Sequence, residues 1–313
     1  MQVQGSQGDK MKWLFGVLLL SLSNIASAWV WNADFECGAD GEHIGTATGC
    51  GIANRSLTFG SDDVAYNSDI SLSPAIVSGS TGDNEFGAVF LFGHEDVPNG
   101  RNLVQGDELW YRIWYYFPAG FDFTASGSGL KLTRVKTVDS GGGHEAFISS
   151  HIQGNLSMGN AINHAAFTEN NGSSSNAGDT VTTGNWMAVE RYHKFHSTPG
   201  QGIYRVYQNG NLIFEDLLTE TLTTSSSEVS AVYIFTYWNG GAPQSQHCYI
   251  DEIILTSETP SDTDEDDNPF IGVGDFVPPD PESPRGSGVN VGENTGQNIG
   301  IQLYENPSEL IWP

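Results

Sequence analysis

Between Ala88 and Thr256 the chain alternates apolar and polar residues with a period of two, and helical spacing is nearly absent. Short runs rich in β-branched and aromatic residues recur between clusters of Gly, Ser, Thr and Asn. The pattern predicts strands over Ala88–Gly93, Glu108–Phe117, Leu130–Thr137, Ala146–Gln153, Ala161–Thr168, Trp186–His196, Ile203–Gln208, Asn211–Leu217, Val229–Trp238 and Cys248–Thr256. "QNGN" at 208–211 is a two-residue Asn-Gly hairpin, because both turn positions favour positive φ. So many strands in one unit predict an all-β fold, a two-sheet antiparallel β-sandwich over residues 29–257. Loops are expected at 172–180 and 223–228.

The ends differ from this body. "MKWLFGVLLLSLSNIASA", from Met11 to Ala28, has a basic start, a short apolar run and a small-residue cleavage site. Residues 1–28 therefore read as a signal peptide with an upstream extension, and the apolar run is too short to span a bilayer. The expected compartment is secreted or periplasmic. Residues 258–313 open with "ETPSDTDEDDNPF" and continue rich in Pro, Gly and Asn. They read as an acidic linker and a mostly disordered tail. Asp262, Asp264 and Asp266 alternate as in a calcium loop, but the Gly and terminal Glu of such a loop are missing. A solvated linker is the expectation there, with a structural calcium as the alternative; no cofactor and no catalytic metal are expected.

Charge narrows the partners. The formal net charge of −26 repels nucleic acid and anionic membranes. Against it, six of the twelve Lys and Arg fall between Lys131 and Arg205, with five of the eight His. That grouping points to a local basic surface able to attract an acidic sugar chain. Of three Cys, Cys37 and Cys50 bracket a Gly-rich loop and are the expected disulfide in an exported protein. Cys248 falls in an apolar strand and is expected as a buried thiol. A monomer is expected.

Alternation splits "WMAVERYHKFH" into two faces. Met187, Val189, Arg191, His193 and Phe195 share the more apolar one, expected between the sheets. Ala188, Glu190, Tyr192, Lys194 and His196 share a polar one, expected on the concave side of a curved sheet. Trp110 and Arg112 share a face of their own strand, and Tyr237 and Trp238 precede the turn "NGGAP", as aromatics at a rim would.

The ordered set "DELWYRIWYYFPAGFDF", "GLKL", "WMAVERYHKF", "GIYRVYQNGNLIFED", "IFTYWNGGAP" and "YIDEIIL" resembles the jelly-roll polysaccharide lyases. The nearest type is the alginate and glucuronan lyases of families fourteen and twenty, in the concanavalin A-like superfamily. The resemblance implies a substrate groove and β-elimination on uronic-acid chains. Lys131 in "GLKL" resembles the family Lys of the groove. Ser149 in "FISSHIQG" fits the family Ser, but His151 stands where Arg is usual. "AINHAAF" offers Asn163, His164 and Ala165 where two Tyr are usual. The implied site uses Lys131, His151, Tyr192 and Tyr204 for catalysis. Substrate binding falls to Trp110, Arg112, Ser149, Gln153, Asn163, Glu190, Lys194, Tyr237 and Trp238. The alternative is a non-catalytic carbohydrate-binding surface protein on the same fold. A glycoside hydrolase fits less well, since Glu190 has no partner acid on its strand face.

Overall fold

The computed structural model describes residues 28–33, 35, 57–59, 66, 71–80, 88–92, 101–124, 129–152, 158–164, 180–217, 220–234, 238 and 240–274. They form fourteen strands in two sheets, and no helix occurs among them. In chain order these are β1 (Val30–Ala33), β2 (Leu57–Phe59), β3 (Leu72–Ile76), β4 (Ala88–Leu91), β5 (Glu108–Tyr116), β6 (Leu130–Val138) and β7 (His144–Ile152). The second half comprises β8 (Met158–His164), β9 (Trp186–Lys194), β10 (Ile203–Gln208), β11 (Asn211–Asp216), β12 (Glu228–Ile234), β13 (Gln246–His247) and β14 (Tyr249–Thr256). The nine-stranded sheet runs β11-β10-β9-β5-β14-β3-β13, with β1 on β14 and β2 on β3. The five-stranded sheet runs β4-β12-β6-β7-β8. Every pairing is antiparallel.

The ten strands expected from alternation all form, within a few residues at each end. Four more, β1, β2, β3 and β13, are too short to show a period, and β3 carries Pro74. The β10–β11 hairpin turns at Asn209 and Gly210, with φ of 50° and 81°, as the Asn-Gly pair requires.

Two strand faces build the core. From the nine-stranded sheet come Leu109, Tyr111, Ile113 and Tyr115 of β5 and Met187, Val189 and Phe195 on and just after β9. From the five-stranded sheet come Leu130, Val135, Ile148, Ile152, Val232 and Ile234. The apolar face expected for β9 thus does lie between the sheets. Cys248 is a buried free thiol in this layer. Cys37 and Cys50 lie outside the described residues, as do residues 1–27 of the segment read as a signal peptide. No helix among the described residues is long and apolar enough to cross a membrane.

The acidic segment after Thr256 corrects an expectation. Residues 258–274 do not float as a linker but lie as a strap over the outer face of the nine-stranded sheet. Ile271 packs with Trp110, Tyr192 and Ile254, and Phe270 meets Tyr207. Trp110 Nε1 donates to the Pro269 carbonyl, and Arg112 Nη1 donates to the carbonyls of Gly272 and Gly274. Asp264 is folded into a turn: Oδ1 accepts the backbone N–H groups of Asp266 and Asn268, and Oδ2 accepts the Tyr207 hydroxyl. Apolar strap residues and the turn around Asp264 explain why the run packs down, with Asp262, Glu265, Asp266 and Asp267 left exposed to solvent.

Candidate functional site

The outer face of the five-stranded sheet gathers the chemistry. Along β7, residues alternate: Ala146, Ile148, Ser150 and Ile152 point inward, while Phe147, Ser149 and His151 point outward. Across from them on β6 stand Lys136, Arg134 and Lys131, paired with Phe147, Ser149 and His151. Lys131 and Arg134 are three apart and should face opposite sides. The register shift between Lys131 and Thr133 inserts Leu132 as a bulge residue and turns both cations to one side. On β12, Tyr233 pairs with Arg134 and Ala231 with Lys136. On β8, Asn163 pairs with Phe147, so its register position is on the same face.

Arg134 is held against an aromatic ring. The Arg134 guanidinium sits 3.4 Å from the centroid of Phe147, and Phe147 meets Tyr233 edge-on at 6.0 Å. Lys131, Arg134, His151 and Ser149 are all buried, at 8%, 8%, 7% and 1% exposure. His151 has its pKa pushed down to about 4, first by burial and then by the charges of Lys131, Arg134 and Arg191. It is therefore a neutral imidazole at physiological pH. Burial, then Arg134, lowers the Lys136 pKa as well. A face with three cations and a neutral imidazole can bind a carboxylate and offer a lone pair beside it.

The residues expected in one groove are dispersed by the fold. Lys131, His151 and Ser149 stand together on this face, with Asn163 in register. Trp110, Arg112, Glu190 and Tyr192 instead occupy the outer face of the nine-stranded sheet, under the strap. The polar face of β9 was expected to floor a groove; its polarity serves the strap. Ile271 N and Gly272 N donate to Glu190 Oε1 and Oε2 at 2.6 and 2.9 Å. Burial pushes the Glu190 pKa up to about 8 despite those donors and the nearby Arg112. Lys194, on the same side, is half-exposed and 4.0 Å from Glu108.

Tyr204 is also displaced from the expected groove. It is buried between the sheets, with its hydroxyl 3.0 Å from Ser150 Oγ and its ring stacked on His193. β10 pairs with β9 so that Tyr204 falls opposite His193, on the inward face. Trp238 is fully buried in the core, beside Phe121, rather than at a rim. Gln153 and Tyr237 lie outside the described residues. Arg134, Lys136, Phe147 and Tyr233 belong to the outer face and were not singled out for it. The clustering of bases between 131 and 136 was the available signal; the bulge that aligns them was not.

No protein-family model matches the chain, and no curated protein sequence matches it. Solved structures do. The marine PL-14 alginate lyase from Aplysia kurodai aligns with a TM-score of 0.53 at 14% identity, over 72% of this chain and 97% of that one. The endo-beta-1,4-glucuronan lyase from the fungus Trichoderma reesei aligns with a TM-score of 0.50 at 14% identity, over 72% of this chain and 94% of that one. The chain has the jelly-roll fold of these polysaccharide lyases.

Proposed function

We propose that this jelly-roll protein is an exported polysaccharide lyase that cleaves an anionic, uronic-acid-containing chain by β-elimination. One observation carries the reading. In a molecule of net charge −26, Lys131, Arg134 and Lys136 share one sheet face with a neutral His151. The alginate lyase and the glucuronan lyase named above support the substrate class.

In the reaction the uronate carboxylate binds Lys131 and Arg134. Their charge stabilises the negative charge that develops when the C5 proton leaves. His151 takes that proton on its free imidazole nitrogen. The electron pair forms the C4–C5 double bond, the C4–O4 bond breaks, and the leaving oxygen takes a proton from Tyr233. A pKa near 4 makes a weak base. Two of the charges that depress it are those of Lys131 and Arg134, which the bound carboxylate offsets, so the basicity of His151 rises once substrate is seated. Tyr192 and Tyr204 have no part in this mechanism, since one lies under the strap and the other between the sheets.

Incubation with alginate, glucuronan and hyaluronan, following the ultraviolet absorbance of the unsaturated product, tests the reading. Absence of product from all three, with intact folding, defeats it. The burial of Lys131, Arg134 and His151 favours a second reading, a carbohydrate-binding protein without turnover. That reading predicts retention on a uronate column and no product.

A further inference from the structure

Behind the outer face, between the sheets, lies a polar cluster that the lyase reading leaves unused. Arg191 of β9 is 1% exposed. Its Nε donates to Ser150 Oγ at 2.8 Å, across the gap between the sheets. The same Ser150 oxygen lies 3.0 Å from the Tyr204 hydroxyl. The guanidinium carbon is 5.6 Å from the Tyr111 ring centroid. Thr133, from β6, pairs with Ser150 and points into the same layer.

The cluster has donors in excess and no negative charge. Neither Arg191 Nη1 nor Nη2 has a hydrogen-bond partner of full geometry, although the Tyr111 and Tyr204 hydroxyls are near. Both nitrogens of the fully buried His193 are unmatched too, and Thr133 Oγ1 has only the nearby Tyr111 hydroxyl, without full hydrogen-bond geometry. Among the described residues no carboxylate pairs with Arg191. The two most deeply buried acids are engaged elsewhere: Glu190 holds the strap, and Asp251 accepts the N–H of Tyr66. The tyrosines cannot supply the charge, because burial raises the pKa of Tyr111, Tyr115 and Tyr204 and keeps them as phenols. Burying a lone cation without a counter-charge is costly, several kcal/mol on the usual scale. Neutral hydroxyl donors around a guanidinium are the surroundings a desolvated anion needs.

We propose that a small monovalent anion, of the chloride class, binds between the two sheets on Arg191 Nη1 and Nη2, within reach of the Thr133 hydroxyl and the His193 imidazole. The anion neutralises Arg191 and ties β9 of one sheet to β6 and β7 of the other. Because β7 also carries Ser149 and His151, the anion stiffens the strand under the outer face. The inference does not depend on the lyase reading.

Crystals of the full chain grown in sodium bromide test it directly. An anomalous bromide peak beside the Arg191 Nη atoms is the expected result. Ordered water there, with bromide found only on the surface, overturns the proposal. In solution, the unfolding midpoint is expected to rise with chloride relative to gluconate at fixed ionic strength. Tenfold excess over the half-effect concentration should give a rise of roughly 3–6 °C. Arg191→Met should abolish the chloride response; equal midpoints of the wild type in chloride and gluconate count against the site. If Arg191→Met does not fold, the bromide map of the wild-type protein decides alone.

Discussion

Lys131 and His151 face each other across the β6–β7 ladder on the outer face of the five-stranded sheet, and the charge of the first helps keep the second neutral. The pairing makes a buried cation and a neutral imidazole neighbours, without either being free in solvent.

Replacing His151 tests the base. His151→Asn should lower the rate of uronate cleavage by about 100-fold or more while leaving retention on a uronate column largely intact. Steady-state rates beside column elution separate the two effects. A variant that cleaves at the wild-type rate removes His151 from the mechanism.

Replacing the cations tests binding. Lys131→Ala and Arg134→Ala should both weaken retention, so that each variant elutes at lower salt than the wild type. Screening over about 8–10 Å at moderate ionic strength makes the wild-type interaction salt-dependent. Trp110→Ala, by contrast, should leave retention unchanged, since its indole is committed to Pro269.

Acid should destabilise the fold through its histidines. Burial first, then neighbouring cations, depresses the pKa of His151 to about 4 and of His193 to about 3. Both are below the ordinary value of about 6.5, so between those limits the unfolded chain binds protons that the folded one does not. Stability should therefore rise with pH from about 3 to 6.5 on account of these groups. The difference in unfolding midpoint between wild type and His151→Asn, followed across that range, measures the His151 share.

Glu190 carries the opposite sign. Its folded pKa, pushed up to about 8, exceeds the unfolded carboxylate value, so the folded state binds the extra proton. Its contribution is full below the unfolded pKa and declines as pH rises toward about 8. Glu190→Gln should flatten that decline in a comparison of midpoints from pH 5 to 9. It should also loosen the strap, because the amide can return only one acceptor oxygen to the N–H groups of Ile271 and Gly272. Faster proteolytic trimming after residue 257 reports the loosening.

Trp238 offers a packing control. Fully buried in the core, Trp238→Ala should cost about 3–5 kcal/mol of stability in chemical unfolding. Polysaccharide retention of the fraction that stays folded should not change.

By itself the sequence pattern determined ten of the fourteen strands, the Asn-Gly hairpin, the inward face of β9 and a two-sheet sandwich, while the jelly roll was implied by the resemblance of its ordered motifs. The pattern-derived features are local, since a period of two and a turn that demands positive φ act over a few neighbouring residues. Lys131, Ser149 and His151 were also legible, through the resemblance carried by "GLKL" and "FISSHIQG", and the β6–β7 ladder brings them together. Only the tertiary structure decided which sheet each polar face belongs to. Glu190, Arg112 and Trp110 look like groove residues in sequence, yet they bind a strap that arrives from 81 to 160 residues further on. Tyr204 is polar enough for a site and sits between the sheets. Arg134 joins Lys131 only through a bulge that reverses the alternation. Alternation tells that a strand has two faces. What covers each face is set by long-range packing and charge compensation, which no local pattern encodes.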